Sequence, residues 1–266
     1  MRRSWSAVAV LFFIGSPLWA QESREDDGRA YRRSLNLGVG RFEGEYGLPA
    51  ETTFDVLNFN ARWYLPRGQL QVSAPYLRLA GPAGVQLVAG QPVVVPVGGE
   101  ERREESGFGD TVLQGEYYLR TGSTTSPWVI GRLRLKLPTG DEDKRLGTGA
   151  ADVEIGVGLV RQYGTFNWLA DFGYTVVGSS SSYDLENVFR VGTGVSRAFG
   201  ERTSGYVYLE NRTNAVERSD DRRSFILGVE RSLAAAQRLR LSVSMFVGLT
   251  DATEDLGLYL NLGRRY

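Results

Sequence analysis

RLRLSVSMFVGL, residues 238–249, is the stretch whose reading decides the fold. Successive side chains of an extended strand point to opposite faces, so Leu239, Leu241, Val243, Met245, Val247 and Leu249 share one side, and Arg238, Arg240, Ser242, Ser244, Phe246 and Gly248 share the other. One face suits hydrocarbon; the other does not. The same division recurs in Val129, Leu133, Leu135 and Leu137 against Arg132, Arg134 and Lys136, and in Val153, Ile155, Val157 and Leu159 against Asp152, Glu154, Gly156 and Gly158. Leu256, Leu258, Leu260 and Leu262 alternate in turn with Gly257, Tyr259, Asn261 and Gly263.

Read outward from that stretch, period two predicts about twelve strands, at 33–41, 53–65, 69–79, 108–120, 127–137, 151–162, 165–177, 186–198, 204–213, 223–233, 237–249 and 256–266. Their connections alternate in length. Short links at 66–68, 121–126, 163–164, 200–202 and 234–236 lie between long polar ones at 42–52, 80–107, 138–150, 178–185, 214–222 and 250–255. Short turns on one rim, long loops on the other and an even strand number form the pattern of a single antiparallel transmembrane up-and-down β-barrel. A soluble β-sandwich also alternates, but has no reason to sort its loops by length. Trp63, Tyr64, Tyr117, Tyr118, Trp128, Phe166, Trp168 and Phe199 gather near strand ends, where an interfacial girdle would hold them.

The first twenty residues, MRRSWSAVAVLFFIGSPLWA, carry two arginines, a short apolar run and a small residue at Ala20, which reads as a cleaved secretory signal peptide. Its apolar run is shorter than the roughly 20 residues of a membrane-spanning helix, and nothing after Gln21 is longer. Three parts follow: signal peptide 1–20, a short periplasmic segment 21–33, and an outer-membrane barrel 34–266. The segment carries Glu22, Glu25, Asp26 and Asp27 and is read as disordered, with a short plug as the other option.

Composition excludes whole chemistries. There is no Cys and no His in 266 residues, which removes disulfides, the common zinc and iron sites, thiol nucleophiles and histidine-based triads. The acidic loop Asp141, Glu142, Asp143 lacks the spacing of a calcium loop, and Gly147-Thr-Gly149 and Gly192-Thr-Gly194 precede no helix, so they are not nucleotide loops. No catalytic residue, metal or cofactor is expected. A formal charge of zero with no long basic run argues against nucleic acid as a partner. Glycine, at 33 residues, is abundant enough to let strands curve and to leave room inside.

If the apolar face is outside, Asp110, Gln114 and Glu116 point inward from one strand, Arg132, Arg134 and Lys136 from the next, and Asp152 and Glu154 from the third. Glu186 and Arg190, then Tyr206, Tyr208, Glu210 and Arg212, then Glu230, then Arg238 and Arg240 continue round the wall. Two compatible roles are open for this ladder. Ion pairs close and stiffen the interior, since charges in a narrow lumen are costly unless matched, and a charged wall orients a permeant solute. The link 80–107 contains GVQLVAGQPVVVPVGG and then EERREES, long enough to suggest a function. Two placements are open for it too: folded into the lumen, or standing outside as a hairpin.

The last strand ends in Tyr266 with Leu262, Leu260 and Leu258 on its face, which resembles the C-terminal signal read by the barrel-assembly machinery; Arg264 interrupts the alternation. GFGDTVLQGEYYL (107–119), PWVIGRLRLKLPTGD (127–141), LGTGAADVEIGVG (146–158) and LQVSAPYL (70–77) together resemble the outer-membrane proteins grouped as the MetA-pathway of phenol degradation. The resemblance implies a transporter-like barrel in outer-membrane lipid that admits small, hydrophobic or aromatic solutes, and it carries over no catalytic residue. The competing expectation is a structural or surface-interaction barrel with an occluded lumen.

Overall fold

A computed structural model describes residues 32–266 apart from 83, 96–100, 124–125, 180–183, 217–218 and 234–237. The expected signal peptide and most of the segment 21–33 therefore lie outside the described residues. Among those described, the chain forms strands and no helix. In order they are β1 (Arg33–Gly44), β2 (Thr52–Leu65), β3 (Gly68–Pro82), β4 (Val85–Val88), β5 (Gln91–Val94), β6 (Arg102–Phe108), β7 (Thr111–Arg120), β8 (Trp128–Leu137), β9 (Asp152–Tyr163), β10 (Phe166–Val176), β11 (Val188–Phe199), β12 (Thr203–Arg212), β13 (Arg222–Ser232), β14 (Leu239–Gly248) and β15 (Leu256–Arg265).

Wall strands pair antiparallel with their neighbours, and β1 pairs with β15, so the sheet closes on itself. β6 and β7 both pair with β3, one above the other, and together occupy one place in the wall. The result is a closed twelve-stranded antiparallel barrel of the outer-membrane type. Closure gives every wall strand except β6, which pairs with β3 alone, a ladder on both edges, as lipid requires.

Alternation sets the two faces. Leu37 stands between Leu262 and Phe59, and Val39 between Leu260 and Leu57, in outward rows that cross strand after strand. These rows stay exposed, with Leu258, Leu260 and Leu262 keeping 52%, 47% and 42% of their surface, an apolar belt of the kind outer-membrane barrels carry. Replacing Leu260, at mid-strand, by arginine is expected to destabilise the barrel by about 2–4 kcal/mol, measured as a shifted urea midpoint in vesicles. A cost near zero would mean this face does not meet hydrocarbon.

Two elements depart from the period-two reading. The strand expected at 108–120 is broken at Gly109 and Asp110, because the Asp110 side chain turns inward, accepts a hydrogen bond from Gly140 N at 2.8 Å and meets Lys136 Nζ at 3.0 Å. The link 80–107 is structured: β3 and β6 run on beyond the expected strand ends and pair as far as Pro82 with Arg102. Between them β4 and β5 form a hairpin with a two-residue turn, Ala89-Gly90, both at positive φ (48° and 78°) as the tightest hairpin turns demand.

Candidate functional site

Inward positions divide the long-loop half of the bore into two unlike crescents. From β7 to β12 the wall is charged, and the antiparallel register sets acid against base: Glu116 opposite Arg132, Arg134 opposite Glu154, Lys136 opposite Asp152. Arg132 Nε lies 3.5 Å from Glu116, and Arg134 Nη1 3.5 Å from Glu154. Lys136 Nζ sits 3.0 Å from Asp110, from Asp152 and from Thr148 Oγ1. Gln69 and Gln114 donate to the two oxygens of Glu116 at 2.6 and 2.9 Å.

Arg190 stands at the centre of the crescent. Its guanidinium reaches Glu154 at 3.0 Å, Glu210 at 3.7 Å and the carboxylate of Asp171, which also accepts from the Tyr208 hydroxyl. Buried charges persist only when matched and hydrogen-bonded, and each member of this group is deeply buried. Tyr208 has room for its ring because β11 offers Gly194 opposite and Gly192 under the hydroxyl, where a side chain would collide with the phenol. Across the bore the inward wall is apolar toward the long loops and polar toward the short turns, where Asn58, Arg62, Gln71, Ser73, Ser242 and Ser244 are buried. Phe42, Phe54, Val56, Ile226, Phe246 and Tyr259 pack into one cluster with Leu77 and Leu79, and Phe42 meets Phe246 edge-on at 5.3 Å.

The β4–β5 hairpin lies in the mouth between these crescents. Val85 and Leu87 join the cluster of Leu77, Leu79 and Leu146 on one side, and Val88, Ala89, Val93 and Val95 pack against Val177, Val188 and Ala215 on the other. Its backbone and the Gln86 side-chain amide are tied to the surrounding wall and loops. Leu87 N donates to Arg145 O at 3.0 Å, Gln86 to Gly147 O at 2.8 Å, Arg212 to Ala89 O at 3.3 Å and Arg222 to Pro92 O at 2.8 Å. Arg145 donates in turn to Pro82 O and Val85 O, and desolvation lowers its pKa. Arg222 is held by Glu254 at 3.2 Å and lies 5.6 Å from the ring of Tyr46, whose phenol is raised by burial. Two voids flank the hairpin, of about 10 and 20 Å³, each with room for about one water. Both are lined by Arg134 and Lys136.

Most of the residues expected inside are there. Gln114, Glu116, Arg132, Arg134, Lys136, Asp152, Glu154, Arg190, Glu210, Arg212, Glu230 and Arg240 are buried in the interior, with Asp110 turned in at the strand break. Glu230 and Arg240 form a pair of their own at 2.8 Å. Two expectations are corrected. Arg238 is exposed, because β14 begins one residue later, at Leu239, and Glu186 is exposed before β11, its amide bound to Ala215 O at 2.8 Å. Sequence reading missed Asp171 and the Arg222–Glu254 pair. Asp171 was findable, since it shares parity with Leu169 and Gly173 and opposes Phe172 and Tyr174. Leu258, Leu260, Leu262 and Tyr266 all face outward, with Arg264 lying over the Tyr266 ring at 5.1 Å.

The sequence model of the family described as "Putative MetA-pathway of phenol degradation" matches residues 30–266. No curated protein matches by sequence. Among solved structures, the COG4313 outer membrane channel from Pseudomonas putida F1 is similar over 90% of this chain and 96% of its own, at 13% identity and a TM-score of 0.71. The KdgM porin is similar over 88% and 99%, at 7% identity and TM-score 0.55. The translocator domain of the autotransporter NalP from Neisseria meningitidis is similar over 91% and 90%, at 8% identity and TM-score 0.53. Identities this low carry the barrel fold and nothing finer.

Proposed function

The chain belongs to the MetA-pathway of phenol degradation family, and from that premise we propose that it is a gated outer-membrane channel for small solutes, closed in this conformation by the β4–β5 hairpin. One observation carries the reading: the mouth is filled by a separable hairpin rather than by the wall. Barrels of eight strands are just filled by their own side chains and those of sixteen or more leave an aqueous pore. Twelve lies between, so an inserted element decides whether the bore is open.

The two crescents suggest the solute. An apolar body with one polar group, such as a small aromatic compound, would lay its ring along Phe42, Phe54 and Phe246 while the ladder from Arg132 to Glu154 oriented its polar end. Export through the N-terminal signal, recognition of Leu258, Leu260, Leu262 and Tyr266 by the barrel-assembly machinery, and residence in outer-membrane lipid complete the proposal. No step in it is catalytic.

Changing Arg212 and Arg222 together to alanine removes the wall's donors to Ala89 O and Pro92 O. Bursts of conductance in planar bilayers, absent from the parent, are the expected result. The close packing around the hairpin also favours a second reading, a permanently occluded barrel with a structural role. A folded double variant that stays silent, together with an unchanged rate of solute uptake in liposomes, would support that reading instead.

A further inference from the structure

The short-turn rim is basic and the long-loop rim acidic. Arg33, Arg161, Arg197, Arg231 and Arg264 point outward from the last strand positions on the short-turn side, and Arg67 and Arg202 sit in the turns between them. None forms an ion pair among the described residues, and the only outward acidic side chain there is Glu201. On the opposite rim Glu45, Glu51, Asp141, Asp143, Asp184 and Asp221 are exposed. Several of the arginines lie over outward aromatic rings: Arg161 is 4.8 Å from the centre of Tyr163, Arg197 is 4.9 Å from Phe166 and 5.7 Å from Phe199, and Arg33 is 5.7 Å from Tyr266.

We propose that this arginine–aromatic belt binds the phosphate headgroups of anionic phospholipids in the membrane leaflet at the short-turn rim. A ring of Tyr, Trp and Phe marks the level where hydrocarbon meets headgroups, and the guanidinium forks just beside it match phosphate geometry. Charge complementarity favours this occupant, because the belt is almost without acid. The chain's own acidic residues Glu22, Glu25, Asp26 and Asp27 are too few and too close together to cover it. Six residues span at most about 20 Å, whereas twelve strands at about 4.8 Å each, tilted as barrel strands are, give a circumference of more than about 58 Å. The belt does not depend on whether the bore conducts.

Trp63 and Trp168 face outward at this rim and serve as probes. The barrel purified from membranes and reconstituted in phosphatidylcholine is titrated with brominated phosphatidylglycerol or brominated phosphatidylcholine, and quenching of tryptophan fluorescence gives the relative affinity. Each interfacial arginine is worth about a fivefold preference at low salt, and the preference should shrink as salt screens it. Arg161→Gln, Arg197→Gln and Arg264→Gln together should lower the preference by about a hundredfold at the sites they line. The corresponding lysine variants should keep most of it, and Arg41→Gln with Arg78→Gln on the other rim should leave it unchanged. Equal quenching by both lipids in the parent overturns the proposal, as does a preference that survives the glutamine variant or 1 M salt. A preference that emerges only after Glu22, Glu25, Asp26 and Asp27 are neutralised assigns the belt to the chain's own segment, and retention of polyglutamate without lipid preference assigns it to an acidic protein; either also overturns it.

Discussion

Deleting residues 84–95 and bridging the gap with a short glycine-serine linker is expected to turn a silent barrel into a conducting one. The hairpin contributes Val85, Leu87, Val88, Val93 and Val95 to the packing in the mouth, and its removal leaves space that no wall residue is placed to fill. The wall should survive, because β3 and β6 pair up to Pro82 and Arg102 without help from the hairpin. Stepwise openings in planar bilayers and a liposome swelling rate that falls with solute size are the readouts, with heat-modifiable migration on a gel as the check of folding. A correctly folded deletion barrel without conductance would show that the charged crescent itself seals the bore.

The second large effect concerns Arg190. Arg190→Leu leaves Asp171 and Glu154 buried with one cation fewer, and removing one partner from a buried ionic group costs about 3–5 kcal/mol. The shift should be visible as a lower urea midpoint of the reconstituted barrel. Arg190→Lys should recover only part of the loss, since a single ammonium cannot reach Glu154, Asp171 and Glu210 with the spread of a guanidinium. Adding Asp171→Leu to Arg190→Leu should restore stability, because it removes the most directly orphaned charge. A cost under about 1 kcal/mol would instead mean that water enters and hydrates the cluster, which would describe an open lumen.

The wall was legible because its rules are local. Period two and the long–short alternation of links located the twelve strands of the barrel within about three residues at most ends, and parity alone assigned Arg132, Glu154 and Arg190 to the interior. What parity cannot reveal is where a strand starts or stops being regular. Arg238 and Glu186 were misplaced for that reason, each standing just before the first residue whose ladder position gives it a face. The break at Gly109 and Asp110 was hidden because it is made by a side chain reaching Gly140 and Lys136, residues about thirty positions away. The hairpin's placement had the same origin. Its partners Arg145, Arg212 and Arg222 come from distant loops and strand ends, and nothing in GVQLVAGQPVVVPVGG names them.

Pro82 and Arg102 face each other across a ladder, so the segment between them leaves and re-enters the wall at almost one point. An insert anchored in this way is thermodynamically a cartridge. Its length and sequence can drift, or be exchanged for another, at a loop-closure cost that grows only with the logarithm of its length. The barrel that carries it is left untouched. Selectivity in such a protein can therefore diversify by rewriting some nineteen residues, while the twelve strands stay under constant selection for insertion and closure.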